Sequence, residues 1–303
     1  MGVVEHDRPR SAIRLLTQPL QQLLSLIAPG ECAVCAGPLL HTALAPVCEL
    51  CLLSLKPAAM LQCSSCGEAL GIESEWMHGS DAELSCSLCR LAPPPYRRAT
   101  SFGVYEGTMR QMIHRMKFHE VPALTRPLGH KLGLALCDLQ PTAPLQMTVL
   151  SVPLYGRPIF SLFRAKRRRS FNQSTLLAQR AVRLARKRHP AWDLREDYAV
   201  LQRIRATESQ FQLSPSQRRT NLKGAFRVSH PDRVAGRHLL LIDDIYTTGA
   251  TARECTRVLL AAGAASVHIL TLARTQMGQV AERWQPGTIL GPTSFGSAAV
   301  SLS

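Results

Sequence analysis

Leu239-Leu240-Leu241-Ile242-Asp243-Asp244-Ile245-Tyr246-Thr247-Thr248-Gly249-Ala250-Thr251 is an apolar run that ends in two adjacent acids and then a hydroxyl-rich turn. The run predicts a buried strand over His238–Ile242, and Ala250–Ala262 follows as an amphipathic helix closed by Gly263. A strand handing over to a helix in this way belongs to an open parallel sheet, whose ligands bind at the carboxyl ends of the strands. Two carboxylates there accept hydrogen bonds from vicinal hydroxyls, so the pair suits a diol. The turn Thr247–Thr251 offers backbone N–H groups, threonine hydroxyls and a helix N-terminus, which together suit a phosphate. A ribose carrying a 5′-phosphate satisfies both halves. An ordinary strand, turn and N-cap accounts for the threonines and the glycine but leaves the two acids unexplained. No G-x-x-x-x-G-K-[ST] or G-x-G-x-x-G stretch competes for a nucleotide.

Outward from this segment, strands and helices alternate. Ala99–Tyr105 reads as a strand, and Thr108–Phe118 as a helix with Met109, Met112, Ile113 and Met116 on its apolar face. Leu124–Leu139 is a second helix, Thr148–Val152 a buried strand, Gln173–Arg188 a helix, Tyr198–Leu201 a short strand and Val267–Leu272 the last strand. The alternation predicts an α/β fold, a mainly parallel sheet with helices on both faces. Pro93-Pro94-Pro95 marks the boundary of a preceding small domain, because three prolines favour an extended connector. Further back, Ile13, Leu16, Leu20, Leu23, Leu24 and Ile27 share one face of an expected amphipathic helix within residues 1–30, ended by Pro29-Gly30 and expected to pack on that domain. Residues 276–303, rich in small and polar residues, read as a disordered tail.

Eight of the ten cysteines form four C-x-x-C pairs between residues 31 and 92: Cys32/Cys35, Cys48/Cys51, Cys63/Cys66 and Cys86/Cys89. In an oxidising compartment such pairs would form a disulfide framework; in a reducing one they are zinc ligands. Each two-residue turn aims two thiolates at one ion, and two turns complete a tetrahedron, so a double zinc ribbon with two structural ions is expected. Sequential pairing joins Cys32-Cys35-Cys48-Cys51 and Cys63-Cys66-Cys86-Cys89; cross-braced pairing is the alternative. Cys137 and Cys255 stand alone in helical patterns and read as small buried apolar residues.

At 303 residues with 46% hydrophobic and 19% charged residues, the chain has room for two packed domains. No apolar run approaches the roughly 18 residues of a membrane span, and Glu5, Asp7 and Pro19 interrupt any signal-peptide layout, so a cytoplasmic protein is expected. The net charge of +15 is unevenly divided. Residues 1–95 carry five cations against nine acids, and residues 96–303 carry 31 against 12. Arg157 to Arg188 holds eleven cations and no acid. A solvated helical face accounts for Arg180, Arg183, Arg186, Lys187 and Arg188; Arg164, Lys166, Arg167, Arg168 and Arg169 follow a strand and turn, where polyanions are held.

The acid pair and its turn closely resemble the phosphoribosyl pyrophosphate (PRPP) signature of type I phosphoribosyltransferases. The resemblance widens to the competence-protein-F (ComF/GntX-like) family. It includes the double zinc ribbon Cys32–Cys89, Tyr105-Glu106-Gly107-Thr108-Met109-Arg110 with the helix after it, and Val152-Pro153-Leu154. Phe171-Asn172-Gln173, Ser209-Gln210 with Leu213, Arg218-Arg219, Asn221-Leu222 and Gly224-Ala225-Phe226 follow in order. It spans roughly residues 20–275, with Ser170 in place of the usual glycine before Phe171 and His119-Glu120 where a glycine is common.

The resemblance implies a phosphoribosyltransferase-like domain over residues 96–275. In it Asp243 and Asp244 hold the ribose 2′ and 3′ hydroxyls, and Thr247, Thr248, Gly249, Ala250 and Thr251 the 5′-phosphate. Val152, Pro153, Leu154 and Tyr155 take pyrophosphate, assisted by Arg157 and Lys117, with Mg²⁺ bridging it to the ribose hydroxyls. Arg164, Lys166 to Arg169, Phe171 and Asn172 form a flexible loop over that site, which doubles as a surface for single-stranded DNA. The family's association with natural transformation implies a partner role with DNA-uptake machinery. An active phosphoribosyltransferase with an unidentified acceptor is the alternative, its acceptor pocket drawn from Thr207, Gln210, Arg218 and Asn221.

Overall fold

The register of one long strand fixes the molecule. In the computed structural model, which describes residues 30–39, 45–58, 61–70, 84–118, 121–155, 172–206 and 221–276, strand β8 is His238–Tyr246. It pairs in parallel with β9 (Ser266–Arg274) from His238↔Ser266 to Tyr246↔Arg274. On its other side lies β4 (Gln146–Ser151), then the edge strand β5 (Asp193–Glu196), and beyond β9 lies β3 (Arg98–Val104). The five-stranded sheet, in the order β3-β9-β8-β4-β5, is parallel throughout.

Its two faces are buried by different elements, as the near-continuous apolar runs of a parallel sheet require. One face carries helices α3 (Gly107–Phe118), α4 (Thr125–Leu139) and α5 (Gln173–Arg188). Their Met112, Ile113, Leu132, Leu136, Leu177 and Val182 close on Leu240, Ile242 and Leu270. Gly129 and Gly133 let α4 and α5 approach closely; a Cβ at Gly129 would sit 2.6 Å from the Cβ of Arg180. The other face carries α6 (Ala250–Ala261) and an antiparallel pair, β6 (Leu201–Arg203) with β7 (Phe226–Val228).

Two expectations need correction. The strand expected at Tyr198–Leu201 is replaced by β5 at 193–196 and β6 at 201–203, with bends between. Only Leu194 of β5 is buried, because an edge strand faces solvent and needs little apolar alternation. The apolar strand does not stop before the acids. It continues through them to Tyr246, with Asp243 opposite Thr271 of β9.

The cysteine-bearing segments cover the β3 edge. The first contains β1 (Gly30–Glu31), β2 (Pro38–Leu39) and helix α1 (Glu49–Leu53); the second contains α2 (Ser87–Leu91). Ala58 N–H donates to the Phe102 carbonyl at 2.6 Å, and Ala99 N–H donates to the Ser65 carbonyl at 2.8 Å. An exposed edge would template association with other chains, so this cover removes a liability. The fit requires glycine. A Cβ at Gly103 would lie 2.6 Å from the Lys56 carbonyl oxygen, and one at Gly67 would lie 2.8 Å from that of Ala99. The expected helix of residues 11–28 and the tail beyond Gln276 lie outside the described residues.

The Lys56 contact makes Gly103 a test of this docking. Gly103→Ala should lower unfolding stability by on the order of 1–3 kcal/mol, read as a lower urea midpoint. An unchanged midpoint would show that the first cysteine segment is not seated on β3.

Candidate functional site

The acid pair stands near the carboxyl end of the central strand because β8 runs on past Ile242. Asp244 is buried and meets Lys117 from the last turn of α3, with Nζ 2.7 Å from Oδ1. Asp243 Oδ1 accepts hydrogen bonds from Ser174 Oγ at 3.0 Å and from the Asp244 N–H at 2.9 Å. Burial, reinforced by the charge of Asp244 and moderated by Lys117, pushes the Asp243 carboxyl up to about 7. Lys117, which the resemblance assigns to pyrophosphate, is thus placed on the acid pair itself.

Asn172 organises the neighbouring wall. Its Oδ1 caps α5 by accepting from Ser174 N–H at 3.0 Å and Thr175 N–H at 3.5 Å, while its Nδ2 donates to the Val152 carbonyl at 3.2 Å. A bond of 2.8 Å between Ser151 and Thr175 hydroxyls adds a second tie. The Val152–Tyr155 turn and the start of α5 are therefore held together beside Asp243.

After Tyr246 the chain turns through Thr247 and Thr248 into α6, with Gly249 at φ +72° as its N-cap. A Cβ there would fall 2.2 Å from the Tyr246 hydroxyl oxygen, so glycine is needed both for its backbone and for its missing side chain. The Thr248 hydroxyl is buried and has no hydrogen-bond partner among the described residues. A buried hydroxyl without a partner in a turn that opens a helix fits a ligand oxygen. Arg253, one turn into α6, is occupied elsewhere, donating to the Ala92 and Pro93 carbonyls at 2.7 and 3.1 Å.

Sequence reasoning missed the support beneath this turn. Tyr246 shares a 2.6 Å hydrogen bond with Tyr96 and lies under the Arg274 guanidinium, 4.5 Å from the ring centroid. Arg274 is buried and paired with Glu68, and it also donates to the Cys66 carbonyl. The sequence signal was slight: one acid directly after a C-x-x-C-G turn.

The eight paired cysteines converge in sequential sets, Cys32, Cys35, Cys48 and Cys51, and Cys63, Cys66, Cys86 and Cys89. Within each set all sulfurs lie within 4.8 Å of one another. Separations of 3.9 Å (Cys32–Cys51), 3.7 Å (Cys35–Cys48) and 3.6 Å (Cys66–Cys86) are far beyond a disulfide bond. They match the roughly 3.8 Å between sulfurs bound tetrahedrally at about 2.3 Å from one zinc ion. Backbone N–H groups of Val34 and Cys48 point at Cys32 Sγ at 3.4 and 3.3 Å, as thiolate acceptors require. Both clusters are compatible with zinc. Cys137 and Cys255 are buried singly in α4 and α6.

Arg157, Arg164, Lys166, Arg167, Arg168, Arg169 and Phe171 lie outside the described residues, as do Thr207, Gln210 and Arg218. Of the described cations in the same stretch, Arg183, Lys187 and Arg188 are exposed on α5, while Arg186 is held by Glu196 at 2.8 Å and by the Leu194 carbonyl at 2.6 Å.

Residues 177–287 match the phosphoribosyl transferase domain family. The chain is 35% identical over 254 residues to DNA utilization protein YhgH of Escherichia coli O157:H7, covering 82% of this chain and 99% of that protein. The Salmonella typhi protein of that name is 33% identical over 252 residues, with the same coverage. Competence protein F of Haemophilus influenzae is 29% identical over 248 residues, covering 80% of this chain and 96% of that protein.

The raised Asp243 carboxyl carries a stability signature. Between its ordinary value of 3.8 and about 7, the folded chain keeps a proton that the unfolded chain releases, so this group's contribution falls as pH rises through that window. Asp243→Asn removes the loss. Relative to wild type, the variant should gain on the order of 2–3 kcal/mol in urea unfolding between pH 5 and pH 8. A difference independent of pH would contradict the assignment.

Proposed function

The chain belongs to the ComF-like family of DNA utilization protein YhgH and competence protein F, and from that premise we propose that it is a PRPP-binding protein of DNA uptake and utilization. The observation that carries the ligand is the Thr248 hydroxyl, buried without a partner among the described residues in the turn that follows the acid pair. Asp243 and Asp244 accept the ribose hydroxyls. Thr248 and the N–H groups of the turn and the α6 N-terminus take the 5′-phosphate. The Val152–Tyr155 turn, held by Asn172, takes the pyrophosphate with Arg157. Lys117 balances the charge of the acid pair before the ligand arrives, and the diol must share Asp244 with it. Mg²⁺ accompanying PRPP supplies counter-charge to the pyrophosphate oxygens.

The two cysteine clusters each hold one zinc ion in a structural role, since all four ligands come from protein and leave no open position. Single-stranded DNA is the macromolecular partner, contacted by the cation-rich stretch Arg157–Arg188. The acidic cysteine region is a poor electrostatic surface for that partner, and four thiolates per dication make it more negative still.

The double variant Asp243→Asn with Asp244→Asn should lose PRPP·Mg binding in titration calorimetry while keeping its circular dichroism spectrum; unaltered affinity would remove the site. Incubation of wild type with PRPP·Mg and a panel of acceptors, read by pyrophosphate release, separates a binding protein from an active transferase. Protein purified under reducing, metal-replete conditions should contain two zinc ions per chain. Cys48→Ser should lose one of them and destabilise the first cysteine segment. A stoichiometry near zero would overturn the metal assignment.

A further inference from the structure

We infer that the amino edge of the central sheet, opposite the acid pair, is a second nucleic-acid contact that takes phosphodiester backbone through Arg97, Arg98 and Arg237. The inference rests on the reading that the chain handles DNA, and it places part of that binding away from the Arg157–Arg188 stretch. Arg98 opens β3 and His238 opens β8, Arg97 and Arg237 stand just before them, and β9 lies between the two strands. All four residues are exposed. Among the described residues, none of the three guanidiniums has a hydrogen-bond or carboxylate partner, whereas Arg186, Arg195, Arg233 and Arg257 are each paired with an acid.

The register sets these groups side by side. Arg98 is opposite His268 of β9, and His238 is opposite Ser266, whose hydroxyl lies 2.8 Å from His238 Nδ1. Ala265 N–H donates to the Arg237 carbonyl, and Gly236 N–H to the Gly263 carbonyl, both at 2.8 Å, which fixes the entry of β8 against that of β9. β3 and β8 are two strand spacings apart, about 10 Å. Spread over the starts of two strands, the cations do not converge on one point, which suits a polymer of phosphates better than a small anion.

The patch is short of negative partners from within. Among the described residues, buried His268 has no partner for its Nδ1, and Thr100 Oγ1, on the same face of β3 as Arg98, has none either. Burial and the nearby charges of Arg97, His238 and Arg98 hold the His268 imidazole down at about 4, so at neutral pH this ring adds no charge to the patch. The exposed aromatic residues among those described, Phe118 and Tyr155, are at the carboxyl pole, one beside Lys117 and the other ending the Val152–Tyr155 turn. Contact at the amino edge is therefore to backbone without base stacking, and carries no sequence preference.

Position gives this surface a signature. Asp243 is five residues along β8 from His238, roughly 16 Å. A ligand in the PRPP site does not cover the amino edge, whereas it would compete with DNA held by a loop closing over that site.

The test measures single-stranded DNA binding by the full chain, with and without saturating PRPP·Mg, across a salt series. The variant Arg97→Ala/Arg98→Ala/Arg237→Ala should bind at least tenfold more weakly. Its salt slope should be shallower by about 0.7 for each phosphate it no longer neutralises, and its PRPP affinity unchanged. Binding that persists in wild type under PRPP·Mg should be the part this variant lacks, and the Arg→Lys triple variant should retain most of it. If the alanine triple does not fold, Arg97→Ala and Arg237→Ala singly should each show part of the loss. Wild-type affinity and slope in these variants, with weakening confined to Arg167→Ala/Arg168→Ala/Arg169→Ala, would overturn this surface and leave the DNA reading intact. No binding by wild type would overturn both.

Discussion

A guanidinium cut off from water holds the parts of this molecule together. Arg274 closes β9, and its buried charge is answered by Glu68, the second residue after Cys66. Removing one member of such a pair leaves the other charge buried and unanswered, a loss of about 3–5 kcal/mol. The same guanidinium lies over the ring of Tyr246, whose hydroxyl fills the space that Gly249 leaves by lacking a Cβ. The end of β9, the second cysteine cluster and the turn into α6 therefore share one packing solution. None can be rearranged without exposing a charge or emptying a cavity.

The cysteine segments are consequently part of the main architecture and not a detached appendage. Cys32 and Cys51 pack into the core on the helix α3–α5 face, and Cys63, Cys66, Cys86 and Cys89 into the core on the α6 face. Between them they cover the β3 edge with backbone hydrogen bonds at Phe102 and Ala99. A metal bound at either cluster would stabilise the sheet edge as well as its own loops, because binding energy that favours the folded cluster favours everything that needs it in place.

The opposite ends of the sheet have opposite electrostatic characters. At the carboxyl end Asp244 pairs with Lys117 beside the second acid of the pair, Asp243. At the amino end, the exposed Arg97, Arg98 and Arg237 have no acid partner among the described residues, and the buried His268 beside them is neutral. Parallel strands keep the two apart, since every strand begins at one pole and ends at the other.

The sequence alone determined the α/β class, the strand–turn–helix that carries Asp243 to Thr251, the four cysteine pairs and the location of most helices. Each of these is written in a local pattern. Met109, Met112, Ile113 and Met116 recur at helical spacing, two residues separate each pair of cysteines, and four aliphatic residues precede the acids. Strand ends were less legible. β8 runs four residues beyond its apolar run because Asp243 to Tyr246 find partners on β9, and β5 is a strand only because β4 lies beside it. What only the tertiary structure decided depends on residues far apart in the chain. Lys117 reaches Asp244, Ser174 reaches Asp243, and Glu68 reaches Arg274. The choice of sequential over cross-braced cysteine sets is of the same kind. Local spacing cannot encode such pairings, because a buried charge is matched by whichever partner the packed sheet brings within reach.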